Sequence, residues 1–204
     1  MVKRDKSSSR TVFVCQQCGK EELKWLGRCS GCQEWNSFTE QTIVVQAASR
    51  RVVSSDNRPQ ELSRLTVEAA DRFSLPMTEF NRVLGGGLVP GSLTLTGGDP
   101  GIGKSTLLLQ VAAQVAQDRG SVVYVSGEET LHQIKLRAGR LGIKGDNLYL
   151  LAETDLGIIL NQIEELSPSL VVIDSIQAVS LPELGTAPGS ITQVRECTMR
   201  LMQW

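Results

Sequence analysis

The sequence lacks long apolar runs, strong net charge and an export signal. No stretch approaches the roughly 18 consecutive apolar residues of a membrane-spanning helix, and the start, MVKRDKSSSRTVF, has no apolar h-region or small-residue cleavage site. These absences predict a cytoplasmic protein with no membrane partner. The 204 residues carry a net charge of −1, and their 41% apolar content is that of an ordinary globular chain.

The charge is unevenly distributed along the chain. Residues 1–58 contain ten lysines and arginines against six acidic residues, whereas residues 59–204 contain eleven against sixteen. The two parts therefore carry +4 and −5. A basic segment can favour a polyanion, but a charge of this size is more typical of a solvated surface.

Cysteine is scarce, yet four of the five cysteines form the pattern C-x2-C-x10-C-x2-C near the amino terminus. They are Cys15, Cys18, Cys29 and Cys32. This spacing places two pairs of thiolates where they can hold one tetrahedral zinc ion, which predicts a structural zinc ribbon over residues 11–38. Two disulfides are the alternative, and a reducing compartment disfavours them. We expect the fifth, Cys197, to be a small buried apolar side chain.

Cations and aromatic rings accompany these cysteines. They are Lys20, Lys24, Trp25, Arg28 and Trp35. Such a set could contact a nucleic-acid strand through its phosphates and by stacking on its bases. For the two tryptophans we favour packing in the core of the ribbon, because so small a module has few other apolar side chains.

Beyond the ribbon the sequence predicts a linker and a larger domain. Residues 39–72 are polar without a sustained period, which predicts a linker with short extended pieces. In residues 73–204 apolar runs alternate with amphipathic stretches, the pattern of an α/β fold with a parallel sheet between helices. The runs VVYV and LVVI are typical of strands buried on both faces. The predicted strands are 93–96, 122–125, 148–151 and 170–173.

The run GDPGIGKST lies between the first predicted strand and a predicted helix, and it fits G-x-x-x-x-G-K-[ST]. Such a loop directs successive N–H groups at a phosphate, and the helix adds its positive dipole end. We expect Lys104 to reach the β- and γ-phosphates of ATP and the Ser105 hydroxyl to bind Mg²⁺. The predicted ATP-binding residues are Gly98, Asp99, Pro100, Gly101, Ile102, Gly103, Lys104, Ser105 and Thr106.

Acidic residues follow two of the predicted strands. Asp174 ends the run LVVID, at the carboxyl edge of the sheet where ligands bind, and we interpret it as the second magnesium residue. A helix cap is the alternative. Glu128 and Glu129 reach the same edge, and one of them is expected to orient the attacking water. We favour Glu128, with a solvated pair at a helix start as the alternative. The predicted catalytic residues are Lys104, Glu128 and Asp174.

The order of these motifs is more specific than any one of them. After the cysteines come LGGGLVPGSLTLTGGDPGIGKSTLLLQ, VVYVSGEET, LVVIDSIQAV and APGSITQVREC. From Cys15 to its last residue the chain resembles the RadA (Sms) family of bacterial DNA-repair proteins. By motif matching, Lys104 and Ser105 are the Walker A pair, Asp174 is the Walker B acid and Glu128 is the water-positioning glutamate.

The resemblance implies a function as well as a fold. It implies a RecA-like ATPase that binds single-stranded and branched DNA, hydrolyses ATP under DNA stimulation and acts in homologous recombination and branch processing. It also implies a hexameric ring in the full-length form, with a recombinase and the replicative machinery as partners. An alternative interpretation is a zinc-ribbon and P-loop module that uses ATP as a switch for partner binding. A P-loop kinase is disfavoured because no arginine-rich lid is evident.

Members of the family continue beyond the motifs found in this sequence. Because the chain stops at Trp204 within a predicted helix, we expect a fragment whose ATPase core, residues 73–204, is incomplete at its carboxyl end. Nucleotide binding and zinc binding are the activities expected of the chain itself.

Overall fold

The computed structural model describes residues 8–45, 61–62 and 72–204. The chain divides into two compact units, residues 1–71 and residues 72–204. Residues 46–60 and 63–71, which belong to the predicted linker, lie outside the described residues. In the part of the chain that is described, we find no helix with the length and apolar character that crossing a bilayer takes.

The first unit contains an antiparallel sheet of three strands in the order β2-β1-β3. The strands are β1 (Ser8–Cys15), β2 (Glu21–Glu22) and β3 (Phe38–Val45). β1 pairs with β3 along all eight residues, with Cys15 opposite Phe38. Residues 39–45, expected to belong to the linker, are therefore paired strand. Local composition does not reveal this, because strand formation depends on a partner distant in sequence.

The second unit is a parallel sheet flanked by helices, so the α/β prediction is confirmed. The strand order is β5-β4-β6. The strands are β4 (Val122–Ser126), β5 (Leu148–Ala152) and β6 (Leu170–Asp174). The helices are α1 (Thr78–Val83), α2 (Lys104–Arg119), α3 (Leu131–Arg140), α4 (Leu156–Leu166) and α5 (Ile191–Gln203).

Side chains at the helix starts explain where the three helices after β4 begin. Thr130 and Gln133 form a reciprocal capping box at α3, which satisfies two amides that have no acceptor within the helix. Asp155 caps α4 and Ser190 caps α5 by accepting hydrogen bonds from first-turn amides. The predicted helix after the glycine-rich run is α2, and it ends at Gly120 with a φ of 96°.

The core lies on both faces of β4, which is buried along its whole length. On one face Val122 and Tyr124 pack in a cluster with residues of α2 and α3. On the other, Val123 and Val125 pack in a cluster with residues of α4 and α5. Cys197 of α5 belongs to the second cluster and is fully buried, as expected.

Two strand predictions differ from the structure. Four of the five residues of β6 are only partly buried, because β6 pairs with β4 on one side and lies at the edge of the sheet described in residues 72–204. The predicted strand 93–96 is not formed, and Leu93 and Leu95 are exposed. An apolar run makes a segment suitable for a sheet, but a strand needs a hydrogen-bonded neighbour. No strand in residues 72–204 pairs with this segment.

A buried glutamine joins α5 to the segment after β6. The side-chain amide of Gln193 donates to the carbonyl oxygens of Leu181 and Thr186, at 3.1 Å and 3.0 Å. Its side-chain oxygen accepts from the Leu181 amide at 2.9 Å. One side chain thus satisfies three backbone groups in a segment with little regular structure.

We expect Gln193→Leu to lower the free energy of unfolding by about 2 kcal/mol or more, because buried backbone groups lose their partners. Urea unfolding followed by circular dichroism measures the change. Gln203→Leu, at the exposed end of α5, is the control and should change stability by less than about 0.5 kcal/mol. Equal losses in the two variants would contradict the role assigned to Gln193.

Candidate functional site

The glycine-rich loop leads directly into the first turn of α2. Gly101 and Gly103 have φ values of 79° and 102°, a region that glycine adopts without a steric penalty. Gly103 is the N-cap of α2 and contributes no side-chain hydrogen bond. Because the first amides of a helix have no acceptor within it, the start of α2 offers N–H donors and a positive dipole end to an anion.

Lys104 lies across this loop. Its Nζ donates to the carbonyl oxygens of Gly98 and Asp99, at 2.8 Å and 2.9 Å. Residues 97–103 are exposed, so the loop is open to a solute. The structure therefore places an ammonium group and the start of α2 at one exposed surface.

The carboxyl ends of β4 and β6 lie side by side. Ser126 is opposite Asp174 in the parallel register, and the Gly127 amide donates to the Asp174 carbonyl at 3.2 Å. A Cβ at Gly127 would lie 2.5 Å from the Cβ of Ala178. Glycine at this position lets the residues after β4 approach the segment after β6.

Asp174 accepts a hydrogen bond from the buried Tyr124. The Tyr124 hydroxyl is 2.5 Å from Oδ2 of Asp174 and 3.4 Å from the backbone oxygen of Ser105. Burial raises the pKa of Tyr124 well above its ordinary value, and the hydrogen bond to Asp174 and its charge raise it further, so the phenol keeps its proton. A turn and no helix follows Asp174 directly, which argues against the helix-cap alternative.

The structure gives the two glutamates different partners. Oε1 of Glu128 accepts from the hydroxyl of Ser175, the residue after Asp174, at 2.8 Å. Glu129 forms an ion pair with Arg137 of α3, and the Arg137 side chain is largely buried. The hydroxyl oxygen of Ser126 accepts from the amides of both glutamates, at 3.4 Å and 3.0 Å. Glu128 is therefore the glutamate that lies next to Asp174 along this edge.

Sequence reasoning missed four of these polar residues. They are Tyr124, Ser126, Arg137 and Ser175. Ser126 and Ser175 lie within two residues of predicted site positions, so their positions in the sequence could have identified them as site residues. In the sequence Tyr124 cannot be distinguished from an ordinary apolar strand residue. Arg137 could not be identified because its pairing with Glu129 depends on how α3 packs.

The four amino-terminal cysteines converge as predicted. Their sulfur atoms all lie within 4.8 Å of one another, with 3.6 Å between Cys15 and Cys32 and 3.5 Å between Cys18 and Cys29. A tetrahedral ion bound at about 2.3 Å holds its sulfur ligands about 3.8 Å apart. All four are free thiols. The arrangement fits one metal ion and not the disulfide alternative.

The thiols of this cluster perturb one another. Burial raises the pKa of Cys15, but hydrogen bonds with Ser37 and backbone groups outweigh burial and lower the pKa to about 6. At Cys32 a hydrogen bond with the Glu34 backbone lowers the pKa, while burial and the neighbouring thiols outweigh it and raise the pKa to about 12. A negative charge on one sulfur disfavours a second close to it, and a bound cation removes this penalty.

The two tryptophans of the ribbon lie outside its core, so the core-packing interpretation is wrong. Trp25 is 53% exposed and Trp35 is 66% exposed. Both rings lie within 3.9 Å of the Cβ position at Gly27, and the Arg28 guanidinium is 5.6 Å from the centre of the Trp35 ring. The buried cluster consists of Cys15, Cys29 and Phe38. Two of the four clustered cysteines thus belong to the buried centre, and the larger rings lie at the surface.

Comparison with known proteins identifies the class. Residues 57–183 match the AAA domain family, and residues 13–40 match a family described as a rubredoxin metal binding domain. The first match covers more than half of the sequence, and the chain therefore belongs to the AAA domain family. The predicted fold class, a cysteine ribbon before a P-loop core with a parallel sheet, is confirmed.

The similarity to individual proteins is more specific than the match to a domain family. The DNA repair protein RadA of Halalkalibacterium halodurans is 51% identical over 201 residues. Proteins of the same name from Listeria monocytogenes and Bacillus subtilis are 49% and 48% identical over 201 and 202 residues. Each match covers 97% of this chain and 44% of the relative, so the chain spans less than half the length of these relatives. The resemblance indicated by the motif order is confirmed.

Protein purified without added zinc should contain about one zinc ion per chain if the four thiolates share it. We expect Cys29→Ser to lose the ion, because three thiolates and a hydroxyl bind zinc much more weakly. Cys197→Ala is the matched control and should keep the ion. Atomic absorption measures the content, and a zinc-free wild-type protein, or one whose zinc survives Cys29→Ser, would contradict the assignment.

Proposed function

We propose that this chain binds ATP and magnesium where the start of α2 meets the carboxyl edge of β4 and β6. One observation carries this proposal: the Tyr124 hydroxyl contacts both the Ser105 backbone and the Asp174 carboxylate. The start of α2 and the end of β6 therefore lie within reach of one side chain, which supports a shared site. Magnesium prefers oxygen ligands, and the Ser105 hydroxyl and the Asp174 carboxylate supply them.

Each remaining group of the site then has a part in phosphate binding. The amides at the start of α2 would hold the phosphates, and Lys104 would exchange its bonds with loop carbonyls for bonds with phosphate oxygens. A bound magnesium ion would neutralise charge that develops on the phosphates. The other proposed ATP contacts are Gly98, Asp99, Pro100, Gly101, Ile102, Gly103 and Thr106.

Among the two glutamates we propose Glu128 as the residue that positions the attacking water. Its partner is a neutral serine hydroxyl, which leaves the carboxylate charge in place to accept a proton or orient water. Glu129 is held by the guanidinium of Arg137 and is committed to anchoring α3. An open cavity of about 270 Å³ at the ends of β4 and β5 is lined by both glutamates and gives water access to them.

We propose that ATP hydrolysis serves DNA repair. The relatives carry that name, and the resemblance to their family implies binding of single-stranded and branched DNA in recombination. A hexameric ring of the full-length protein, with a recombinase and replication proteins as partners, belongs to the same proposal. The four-cysteine ribbon would hold Zn²⁺ as a structural ion, since four thiolates leave no position for a reacting ligand. The alternative, an ATP switch without motor activity, makes a different prediction for turnover.

We expect Lys104→Ala to weaken magnesium–ATP binding by about tenfold or more, because it removes a charged hydrogen-bond donor to phosphate. Isothermal titration calorimetry measures the dissociation constant. Lys144→Ala, at an exposed lysine after α3, is the control and should bind as the wild type does. Equal affinity of the two variants would argue against the proposed site.

We expect Glu128→Gln to lower ATP turnover by about 10²- to 10⁴-fold, the range for loss of a general base, with nucleotide affinity kept. Glu129→Gln should lower turnover by less than about tenfold and reduce thermal stability, because Arg137 loses a charged partner. Phosphate release with and without single-stranded DNA is the assay. A larger loss of turnover in Glu129→Gln than in Glu128→Gln would identify Glu129 as the residue that positions the water. Wild-type turnover that does not change with DNA would favour the alternative, an ATP switch without motor activity.

A further inference from the structure

Tyr124 is placed so that its hydroxyl reaches the candidate magnesium site from inside the sheet. It lies at the centre of β4, opposite Val172 of β6, and its side chain is fully buried. Tyr124 and Asp174 are diagonal neighbours on the same face of the two strands, since Ser126 is opposite Asp174. The length of the phenol side chain spans this diagonal and brings its hydroxyl to the end of β6.

The Tyr124 hydroxyl can donate one hydrogen bond, and the distances to its two neighbouring oxygens indicate the acceptor. Oδ2 of Asp174 is the nearer acceptor, whereas the 3.4 Å distance to the Ser105 oxygen is long for a hydrogen bond from a hydroxyl. Phenylalanine would fill the same apolar space in the cluster without a polar group to satisfy. A buried hydroxyl is costly unless it is bonded, so packing does not account for tyrosine here.

We infer that Tyr124 is a positioning residue for the magnesium site, acting through Asp174. Its hydrogen bond to Oδ2 holds the carboxylate in one orientation, in which the remaining lone pairs would be available to the cation and its water shell. This inference rests on the proposed function, because it assigns a role in the magnesium–ATP site.

The test separates magnesium from nucleotide. The affinity for ATP is measured by calorimetry in EDTA and again with saturating magnesium. The ratio of the second affinity to the first is the magnesium gain. We expect Tyr124→Phe to keep the affinity in EDTA and to reduce the magnesium gain by about three- to tenfold. Tyr149→Phe is the matched control, because Tyr149 is the other tyrosine of the chain and is exposed. It should leave both affinities unchanged.

A double variant tests whether Tyr124 acts through Asp174. In the Asp174→Asn background, Tyr124→Phe should reduce the magnesium gain no further, since the hydroxyl then has no carboxylate to orient. Independent losses from the two substitutions would overturn the inference. So would a magnesium gain in Tyr124→Phe within twofold of the wild-type value, or equal losses with and without magnesium, which would mark a purely structural role.

A measurement on folded protein with Tyr124 intact covers the case in which Tyr124→Phe does not fold. Tyr149→Phe leaves Tyr124 as the single tyrosine, so ¹³C-labelled tyrosine gives one ring signal. Its Cζ resonance should move when magnesium is added to the ATP complex, and an unmoved resonance would contradict the inference. Wild-type protein that binds no magnesium–ATP would instead reject the proposed function.

Discussion

The parallel pairing of β4 with β6 is the constraint on which the candidate nucleotide site depends. The register places Ser126 beside Asp174, at the edge where the residues after the two strands meet. Because Gly127 has no side chain, the residues after β4 can approach Ala178 and bring Glu128 to Ser175. A shift of one residue in either strand would turn Asp174 to the opposite face of the sheet, away from α2. The geometry of the candidate site therefore depends on the register between the buried strand β4 and the partly buried strand β6.

The sequence predicts the parts of the molecule that local patterns control. The three strands of the parallel sheet, helix α2 and the cysteine cluster depend on apolar period, glycine position or ligand spacing, and all are found. Features that depend on distant partners were not predictable: residues 93–96 have no paired strand among the residues that the structure describes, and residues 39–45 gain one from β1. The choice between Glu128 and Glu129 has the same origin, because Arg137 reaches Glu129 only through the packing of α3.

The cysteine cluster of the ribbon explains why its two tryptophans lie at the surface. In a small domain without metal, Trp25 and Trp35 would be the natural core, since little else is large and apolar. Here the four thiols converge, with Cys15 and Cys29 buried, and ligand bonds to an ion would supply on the order of 10 kcal/mol in place of apolar burial. The rings lie instead on either side of Gly27 at the surface, where Arg28 stacks on one of them. An exposed pair of this kind is suited to binding a flat or apolar partner.

The proposed magnesium site depends on how the three carboxylates at the sheet edge are paired. Like charges close together raise each other's energy, and each group here has a different partner: a phenol for Asp174, a serine hydroxyl for Glu128 and a guanidinium for Glu129. Within residues 72–204 only Glu129 has a cationic partner among the three. Hydroxyl donors orient a carboxylate without neutralising it. Asp174 and Glu128 thus have hydroxyl donors and no cationic partner among residues 72–204, and the magnesium ion of the proposed site would supply the missing positive charge.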